Sequence, residues 1–416
     1  LISMYFPPEP GGGSKTAFNR ALILGKIGYT VFVLCAFPSY PSGRVAGNKY
    51  KGKFFYVEKM ENFTLIRVRL LPIASEGFLR RFILFMNFII LSLVWMPKIL
   101  KISSKVTLVY AMAPILFSSF LGSIYSKVTK SFFIYEATDL WPEETVAFNH
   151  KLSFIIFSLG KKLANLSYSL PDMIVVTSKL AAKYVTNNYK PRSPVYVLFI
   201  GVDPSRYEIK SKERAREVLV EKKILPYDVI NKFVVLYAGV ISKVTRVENL
   251  VCAANELNVK EKDILFLVIG EGEEKPRLEE IKQSNNLSNL YFLPFQASYL
   301  VSYIICAADV CVISLPPEPI YGVTISTKFF DYLACHKPQI GICGGELAEI
   351  INSNNVGLTV EDGEIDKLVD KILFLKKSPS LMQDMEKNSH DILQQFSLDN
   401  LAQKFNNVLI NEINKR

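Results

Sequence analysis

The chain has 416 residues, half of them hydrophobic and 12% aromatic, which excludes wholesale disorder and leaves room for two large domains or three small ones. Lys and Arg number 49 against 39 Asp and Glu, a formal charge of +10. The basic residues form only short pairs, such as Arg80-Arg81 and Lys161-Lys162, so nucleic acid is not an expected partner and phosphate-bearing small molecules or an anionic membrane surface are. Six scattered cysteines without CxxC spacing and three histidines (His150, His336, His390) argue against a disulfide framework and a His-based zinc site, and fit buried thiols in a reducing compartment.

The opening Leu1–Phe6 run has no charged n-region or cleavage site, so it is expected to be a strand end that has lost some residues rather than a signal peptide. Apolar runs at Val31–Cys35, Leu65–Val68, Val106–Tyr110, Phe132–Glu136 and Met173–Thr177 predict strands. Helix-length segments at Lys15–Ile27, Phe78–Ile102, Ile115–Lys127, Ser153–Ser169 and Leu180–Asn188 alternate with them. Lys190-Pro191-Arg192-Ser193-Pro194 predicts a linker, after which the alternation restarts. Strands follow at Val195–Ile200, Val234–Tyr237, Leu265–Ile269, Leu290–Leu293, Val310–Ile313 and Gln339–Ile342. Helices are expected at Val247–Leu257, Arg277–Ser284, Ala297–Ala307, Thr327–Ala334 and Glu346–Ser353, and at the end Ile365–Lys376, Ser380–Leu393 and Leu398–Asn414. The pattern is that of two α/β domains with parallel sheets, with a ligand site beyond the carboxyl ends of the strands and in the cleft where the two sheets would face.

Phe82–Met96 is apolar over 15 residues, too short to span a bilayer, and is flanked by Arg80, Arg81, Lys98 and Lys101. It reads either as a buried domain helix or as a helix at a membrane interface with Trp95 at the boundary; the stretch from 152 to 170 would extend that face.

Several segments have the residue types of a phosphate or sugar site. Gly11-Gly12-Gly13 opens a helix, where free N–H groups and the helix dipole suit an anion. Ser14 and Glu9 stand where a P-loop needs glycines, so that motif fails, and a plain strand-to-helix turn is the other reading. Gly270-Glu271-Gly272 lacks the third glycine of a dinucleotide fingerprint, with Lys at 275, and is read as a turn. Asp139, between Thr138 and Leu140-Trp141-Pro142-Glu143-Glu144, is either a site carboxylate or the N-cap of a following helix. Gly239 begins a turn carrying Lys243 and Arg246, cations suited to a diphosphate or simply to solvent. Ser326, Thr327 and Lys328 start a helix; Asp331, one turn on, is placed to accept from a ribose diol or to be a surface or salt-bridge residue.

In chain order, Tyr5-Phe6-Pro7-Pro8-Glu9-Pro10-Gly11-Gly12-Gly13, Phe37-Pro38-Ser39-Tyr40-Pro41-Ser42-Gly43, Asp139-Leu140-Trp141-Pro142-Glu143, Gly201-Val202-Asp203, Tyr237-Ala238-Gly239 and Lys328-Phe329-Phe330-Asp331-Tyr332-Leu333 resemble the retaining glycosyltransferases of family 4. The likeness is to the branch that builds lipid-linked surface polysaccharides and glycans. It implies a GT-B fold: an acceptor-side Rossmann-like domain over 1–192, a nucleotide-sugar domain over 193–392, and a terminal helix over 393–416 crossing back to the first.

By the same resemblance, Asp331 would hold the ribose and Thr327-Lys328, with Ser326, the diphosphate. Lys243 and Arg246 would stabilise the departing phosphate beside Gly239, Phe295 would lie near the base, Gly11, Gly12 and Gly13 would approach the phosphates or sugar, and Asp139 with Thr138 would line the reaction centre. The donor would be a UDP- or GDP-sugar, with no metal and no separate cofactor. The acceptor would be a glycan, polyprenyl-linked, at the cytoplasmic face of the membrane, with peripheral contact. The chain departs from the pattern at Val323, where the first acid of an E-x7-E motif is expected, at Val240 and Thr245, where Arg and Lys are common, and at Ile200, where Asn is common. Glu318 or backbone near Gly322–Ser326 would have to replace that acid. The other readings are a soluble nucleotide-sugar enzyme, either an epimerase or a small-acceptor transferase, and a non-catalytic nucleotide-sugar-binding subunit.

Overall fold

The computed structural model describes residues 1–39, 42–74, 78–113, 117–143, 154–296 and 300–416. The chain divides into two compact units, residues 1–201 with 398–416, and residues 202–397.

The first unit is a mainly parallel sheet covered by helices. Strands β1 (Val31–Ala36), β2 (Phe55–Lys59) and β3 (Phe63–Val68) lie in the order β1-β3-β2; β4 (Leu108–Met112), β5 (Phe132–Ala137), β6 (Met173–Val176) and β7 (Val195–Val197) follow in register order. The opening residues join the two halves. Ile2 bridges Leu34 and Ala111 in parallel, donating to the Tyr110 carbonyl at 2.8 Å and accepting from the Met112 N–H at 2.9 Å. β2 pairs antiparallel with β3 and is only partly buried, so no long apolar run announces it.

Helices α1 (Gly12–Lys26) and α15 (Leu398–Asn414) cover one face, where Val33, Leu65, Ile134 and Val175 point into a core shared with Leu401 and Phe405. The period-two alternation of the strands assigns the next residues to the other face. There a Cβ on Gly122, in α4 (Phe117–Thr129), would fall 2.3 Å from the Phe133 ring and 2.8 Å from Ala111. The same side carries α2 (Phe78–Val94), α3 (Met96–Ser103), α5 (Phe154–Ser169) and α6 (Lys179–Tyr189).

The single helix expected over 78–102 is two helices bent by 63°. Pro97 lies in the first turn of the second, where its missing N–H costs nothing. Trp95, at the bend, packs on Phe55 with ring centroids 4.9 Å apart.

The second unit holds α7 (Lys212–Glu221), β8 (Phe233–Ala238), α8 (Glu248–Lys260), β9 (Ile264–Ile269), α9 (Lys275–Ser284), β10 (Leu290–Leu293), α10 (Val301–Ala307), β11 (Val310–Ser314), α11 (Thr327–Ala334), β12 (Gln339–Ile342), α12 (Gly345–Ser353), β13 (Gly357–Val360), α13 (Ile365–Lys376) and α14 (Pro379–Leu393). Its sheet runs β10-β9-β8-β11-β12-β13, all parallel. β9 is buried along its whole length, as its unbroken apolar run requires of a strand covered on both faces. Strand order reverses between β8 and β11, the switch point where loops diverge and leave room for a ligand.

The domain boundaries differ from the sequence reading. β7 pairs with β6, placing Tyr196 opposite Val175, so the strand expected to open the second domain closes the first sheet. Lys190–Pro194 is a turn into an edge strand, begun by Lys190 in the left-handed region (φ 43). The chain therefore leaves the first unit after Gly201 instead of after 192, and returns at Leu398 instead of 393. All six cysteines are free, five buried and Cys252 exposed, so the expectation of buried thiols fails at that one.

Candidate functional site

The loops after β8 and β11 bring Gly239 and Lys328 together at the switch point. A Cβ on Gly239 would fall 2.3 Å from Lys328 Cε and 2.9 Å from its Nζ. The same ammonium lies 5.0 Å from the centroid of the Tyr237 ring. Lys328, in the first turn of α11, thus lies across the end of β8, and only a glycine at 239 allows it. Ser326 caps this helix, its Oγ accepting from the Lys328 N–H at 3.4 Å, and the first turn carries no acid. Partly exposed Thr327 and Lys328 therefore stand at the positive end of a helix, where Lys328 adds a cation.

Asp331, one turn on, accepts a short hydrogen bond from the Tyr207 hydroxyl. Burial pushes the Tyr207 phenol above its ordinary range, so it is a donor at neutral pH. Lys243 is exposed, in a short turn over Lys243–Thr245 closed by Ser242 and Thr245 capping each other. Arg246 is less free than the sequence suggested. Its Nε is 3.6 Å from Asp362 Oδ2, and Asp362 is held in turn by Asn249 Nδ2 at 2.7 Å. Phe295 follows β10 and is 43% exposed.

The glycines at 270 and 272 serve packing. A Cβ on Gly270 would lie 1.8 Å from the Gly239 carbonyl oxygen, and one on Gly272 2.0 Å from that of Ile241. That agrees with the turn reading of Gly270-Glu271-Gly272. Near Val323, Glu318 Oε2 is buried with no hydrogen-bond partner. A buried carboxylate oxygen left unsatisfied is where a ligand hydroxyl would gain most.

In the first unit, Gly11 (φ 108) caps α1. Gly11, Gly12 and Gly13 are exposed, a Cβ on Gly11 or Gly13 would meet nothing within 4 Å, and the first turn of α1 again lacks acids. The loop before them is fixed from below. Buried Arg67 donates to the carbonyls of Ala36 at 2.9 Å and Pro7 at 2.5 Å, and Glu9 accepts from the Ser39 N–H at 2.9 Å. The helix itself is anchored by Arg20, fully buried and 2.8 Å from Glu136, which also accepts from the Tyr110 hydroxyl at 2.6 Å. Burial strips water from the guanidinium, but Glu136 more than offsets this and holds Arg20 above its ordinary pKa. Sequence reasoning missed this cluster, as it missed Tyr207, because the partners lie far apart in the chain and no local pattern links them.

Asp139 follows β5, at the same carboxyl end of the sheet. Burial pushes its carboxyl up to about 6, against a weak opposing bond from Thr138 Oγ1 at 3.5 Å. Glu143 accepts from Tyr184 at 3.0 Å and Tyr189 at 2.6 Å. Glu144, His150, the start of the 152–170 stretch, and Tyr40 and Pro41 of the second motif lie outside the described residues, as does the helix Asp139 was expected to cap. A cavity of about 520 Å³ opens beside Val31, Phe32, Leu108 and Tyr125, at the amino ends of the strands, and no candidate site residue lines it. Among the described residues, no three His, Cys, Asp or Glu side chains gather as metal ligands would.

Residues 228–391, most of the second unit, match the family model of group 1 glycosyl transferases. The putative colanic acid biosynthesis glycosyl transferase WcaI of Escherichia coli (strain K12) is 25% identical over 178 residues, 41% of this chain and 43% of that protein. An uncharacterized glycosyltransferase of Methanocaldococcus jannaschii is 25% identical over 195 residues, 45% of this chain and 53% of that protein. The matched stretches thus span about half the length of the curated relatives. Among solved structures, sucrose-phosphate synthase of Thermosynechococcus elongatus superposes with a TM-score of 0.79 at 17% identity, covering 100% of this chain and 99% of that one. Anabaena HepE in complex with UDP-glucose gives 0.71 at 16% identity, covering 99% of each chain. WaaG, a glycosyltransferase involved in lipopolysaccharide biosynthesis, gives 0.67 at 15%, covering 98% of each. The fold is the two-domain α/β fold of the GT-B type that these structures share.

Proposed function

We propose that this protein is a retaining glycosyltransferase that moves a hexosyl group from a nucleotide-diphosphate sugar, with uridine or guanosine as the base, to a lipid-linked glycan, without a metal. The observation that carries the reading is Lys328 lying over Gly239 at the switch point of a sheet whose sequence matches the group 1 glycosyl transferases. Breaking a glycosyl–phosphate bond builds negative charge on the leaving diphosphate. A fixed ammonium and the start of a helix are suited to stabilise that charge as it forms.

In this reading Lys328, Thr327 and the α11 N-terminus hold the diphosphate, and Lys243 swings its exposed ammonium onto the leaving group. Arg246 reinforces the charge from its anchor on Asp362. Asp331, aimed by Tyr207, accepts from the ribose hydroxyls, and Phe295 stacks near the base. Glu318, with its unsatisfied oxygen, takes the sugar hydroxyl that an acid at Val323 would otherwise hold. Gly11–Gly13 offer N–H groups to the donor phosphates or sugar, and Asp139 positions the acceptor hydroxyl. The protein works as a peripheral protein at the cytoplasmic face of the membrane that carries the acceptor.

Val323 favours one rival reading, a subunit that binds a nucleotide sugar without transferring it. A thermal-shift screen of UDP- and GDP-sugars, followed by a radiolabelled-donor assay with lipid-extract acceptors, separates the two. Stabilisation by one nucleotide sugar with label transferred to lipid supports the enzyme; stabilisation without transfer supports the subunit; no stabilisation by any donor ends both.

A further inference from the structure

α2 exposes a single apolar stripe. Leu79, Ile83, Ile90 and Val94 are 67%, 39%, 58% and 66% exposed. At 100° per residue these four positions fall within about 60° of one another around the helix. α4 lies beside α2, since the Tyr125 hydroxyl donates to the Ser92 carbonyl at 2.7 Å and Phe82 meets Phe117 edge-on at 5.9 Å. α5 lies beside α4, since Ser119 Oγ donates to the Ser167 carbonyl at 2.7 Å. These neighbours add Val128 on α4 and Leu159 and Leu166 on α5 to the exposed apolar surface.

The charge around this surface has one sign. From Gly77 to Tyr135 the chain has seven Lys and Arg and no Asp or Glu. α5 likewise carries Lys161 and Lys162 and no acid. Lys98, Lys101, Lys127 and Lys162 are exposed on or beside the three helices. An acceptor protein would need a matching acidic, apolar patch. An anionic bilayer supplies both at once, hydrocarbon for the stripe and headgroup phosphates for the fringe. Among the described residues no single helix is long and apolar enough to cross a membrane, and the α2–α3 pair is bent by 63°. The stripe running along α2 fits a helix lying in the interface plane.

We propose that the outer face of α2, α4 and α5 is a docking surface for anionic phospholipid, with the α2 stripe inserted at the acyl boundary. This deepens the peripheral-membrane part of the function reading by naming the surface and the lipid chemistry, and it stands or falls separately from sugar transfer.

The test is flotation of the purified protein with vesicles of phosphatidylcholine alone and of phosphatidylcholine with phosphatidylglycerol. The wild type should float with the mixed vesicles at low salt and much less at high salt or with the neutral ones. Ile90→Glu with Val94→Glu should leave the protein at the bottom. Lys127→Ser with Lys162→Ser should lower partitioning about fivefold per charge removed. Stabilisation by the nucleotide sugar reports on the second unit and should be unchanged in all variants, and a circular-dichroism spectrum and unfolding midpoint like the wild type's show that the first unit still folds. Wild-type protein that stays at the bottom at low salt overturns the proposal, as do variants that float like the wild type. A concentration-dependent dimer that Ile90→Glu dissociates, without flotation, assigns the stripe to a second copy and also overturns it. Flotation with no donor bound would leave this surface standing and remove the transferase reading instead.

Discussion

The Tyr207 hydroxyl donates to the carboxylate of Asp331, joining the entry segment of the second unit to the helix that carries Lys328. That hydrogen bond restrains the orientation of the carboxylate. Asp331 can then meet two ribose hydroxyls without first ordering itself.

Replacing Tyr207 with Phe keeps the ring and removes only the donor. The expected result is a donor KM raised about tenfold with kcat nearly unchanged, in line with the loss of one hydrogen bond to a charged group. Asp331→Ala should abolish stabilisation by the nucleotide sugar altogether. A kinetic comparison of the two variants checks the assignment: a Tyr207→Phe enzyme with wild-type KM would mean that Tyr207 does not orient Asp331, and stabilisation retained in Asp331→Ala would mean that Asp331 does not contact the donor.

Gly239 should tolerate no side chain. A Cβ there collides with Lys328 at 2.3 Å, so Gly239→Ala must displace the ammonium from the end of β8. Transfer should fall by about a hundredfold, the size seen when one preorganised charge-stabilising group is lost. Lys328→Ala should cost a similar amount. Because both changes remove the same interaction, the double variant should be little worse than either single one. Additive losses in the measured kcat/KM would show that the two positions act independently.

Much of this arrangement is legible from local sequence. The strands of the second unit are short, apolar and bounded by turn residues, and Leu290–Leu293, Gln339–Ile342 and Thr327–Ala334 run as the pattern predicts. The failures have physical causes. α7 is missed because it is largely charged and buries only Ala215, Arg216 and Leu219. β2 is half-exposed. Trp95, at the break, packs on Phe55 from a distant hairpin. In the site, glycines and hydroxyls at helix starts are visible as local chemistry, whereas the bonds from Tyr207 to Asp331, Arg246 to Asp362 and Arg20 to Glu136 form between residues that only the fold brings together.

The Arg20–Glu136–Tyr110 cluster is expected to govern stability more than chemistry. Arg20 and Glu136 are fully buried, and Arg20 also donates to the Leu198 carbonyl at 2.7 Å. Removing one partner leaves the other as an unpaired buried charge, which costs about 3–5 kcal/mol. Glu136→Gln and Arg20→Ala should each lower the unfolding midpoint clearly in a denaturant titration. Nucleotide-sugar stabilisation of the second unit should persist in whatever fraction stays folded. Midpoints within experimental error of the wild type would show that the cluster contributes no stability.

Asp139 gives the site a pH dependence whose sign is fixed by burial. Its carboxyl is pushed from an ordinary 3.8 to about 6 because the buried environment disfavours the charged form, and the weak Thr138 bond only partly opposes this. If the carboxylate positions the acceptor hydroxyl, transfer should rise with pH through about 6 and level off above it, and Asp139→Asn should be slow and flat over the same range. Stability runs the other way. With the folded pKa above the unfolded one, the folded state binds the extra proton; this contribution is complete below about 4 and is lost as pH rises through about 6. Asp139→Asn removes the penalty, so the variant should be more stable than the wild type at neutral pH and lose that advantage in acid. A pH–rate profile and a pH series of unfolding midpoints check the two halves separately. A wild-type rate that falls as pH rises through 6 would assign Asp139 the protonated role instead, and a variant no more stable at neutral pH would mean that the carboxylate is better solvated than its burial implies.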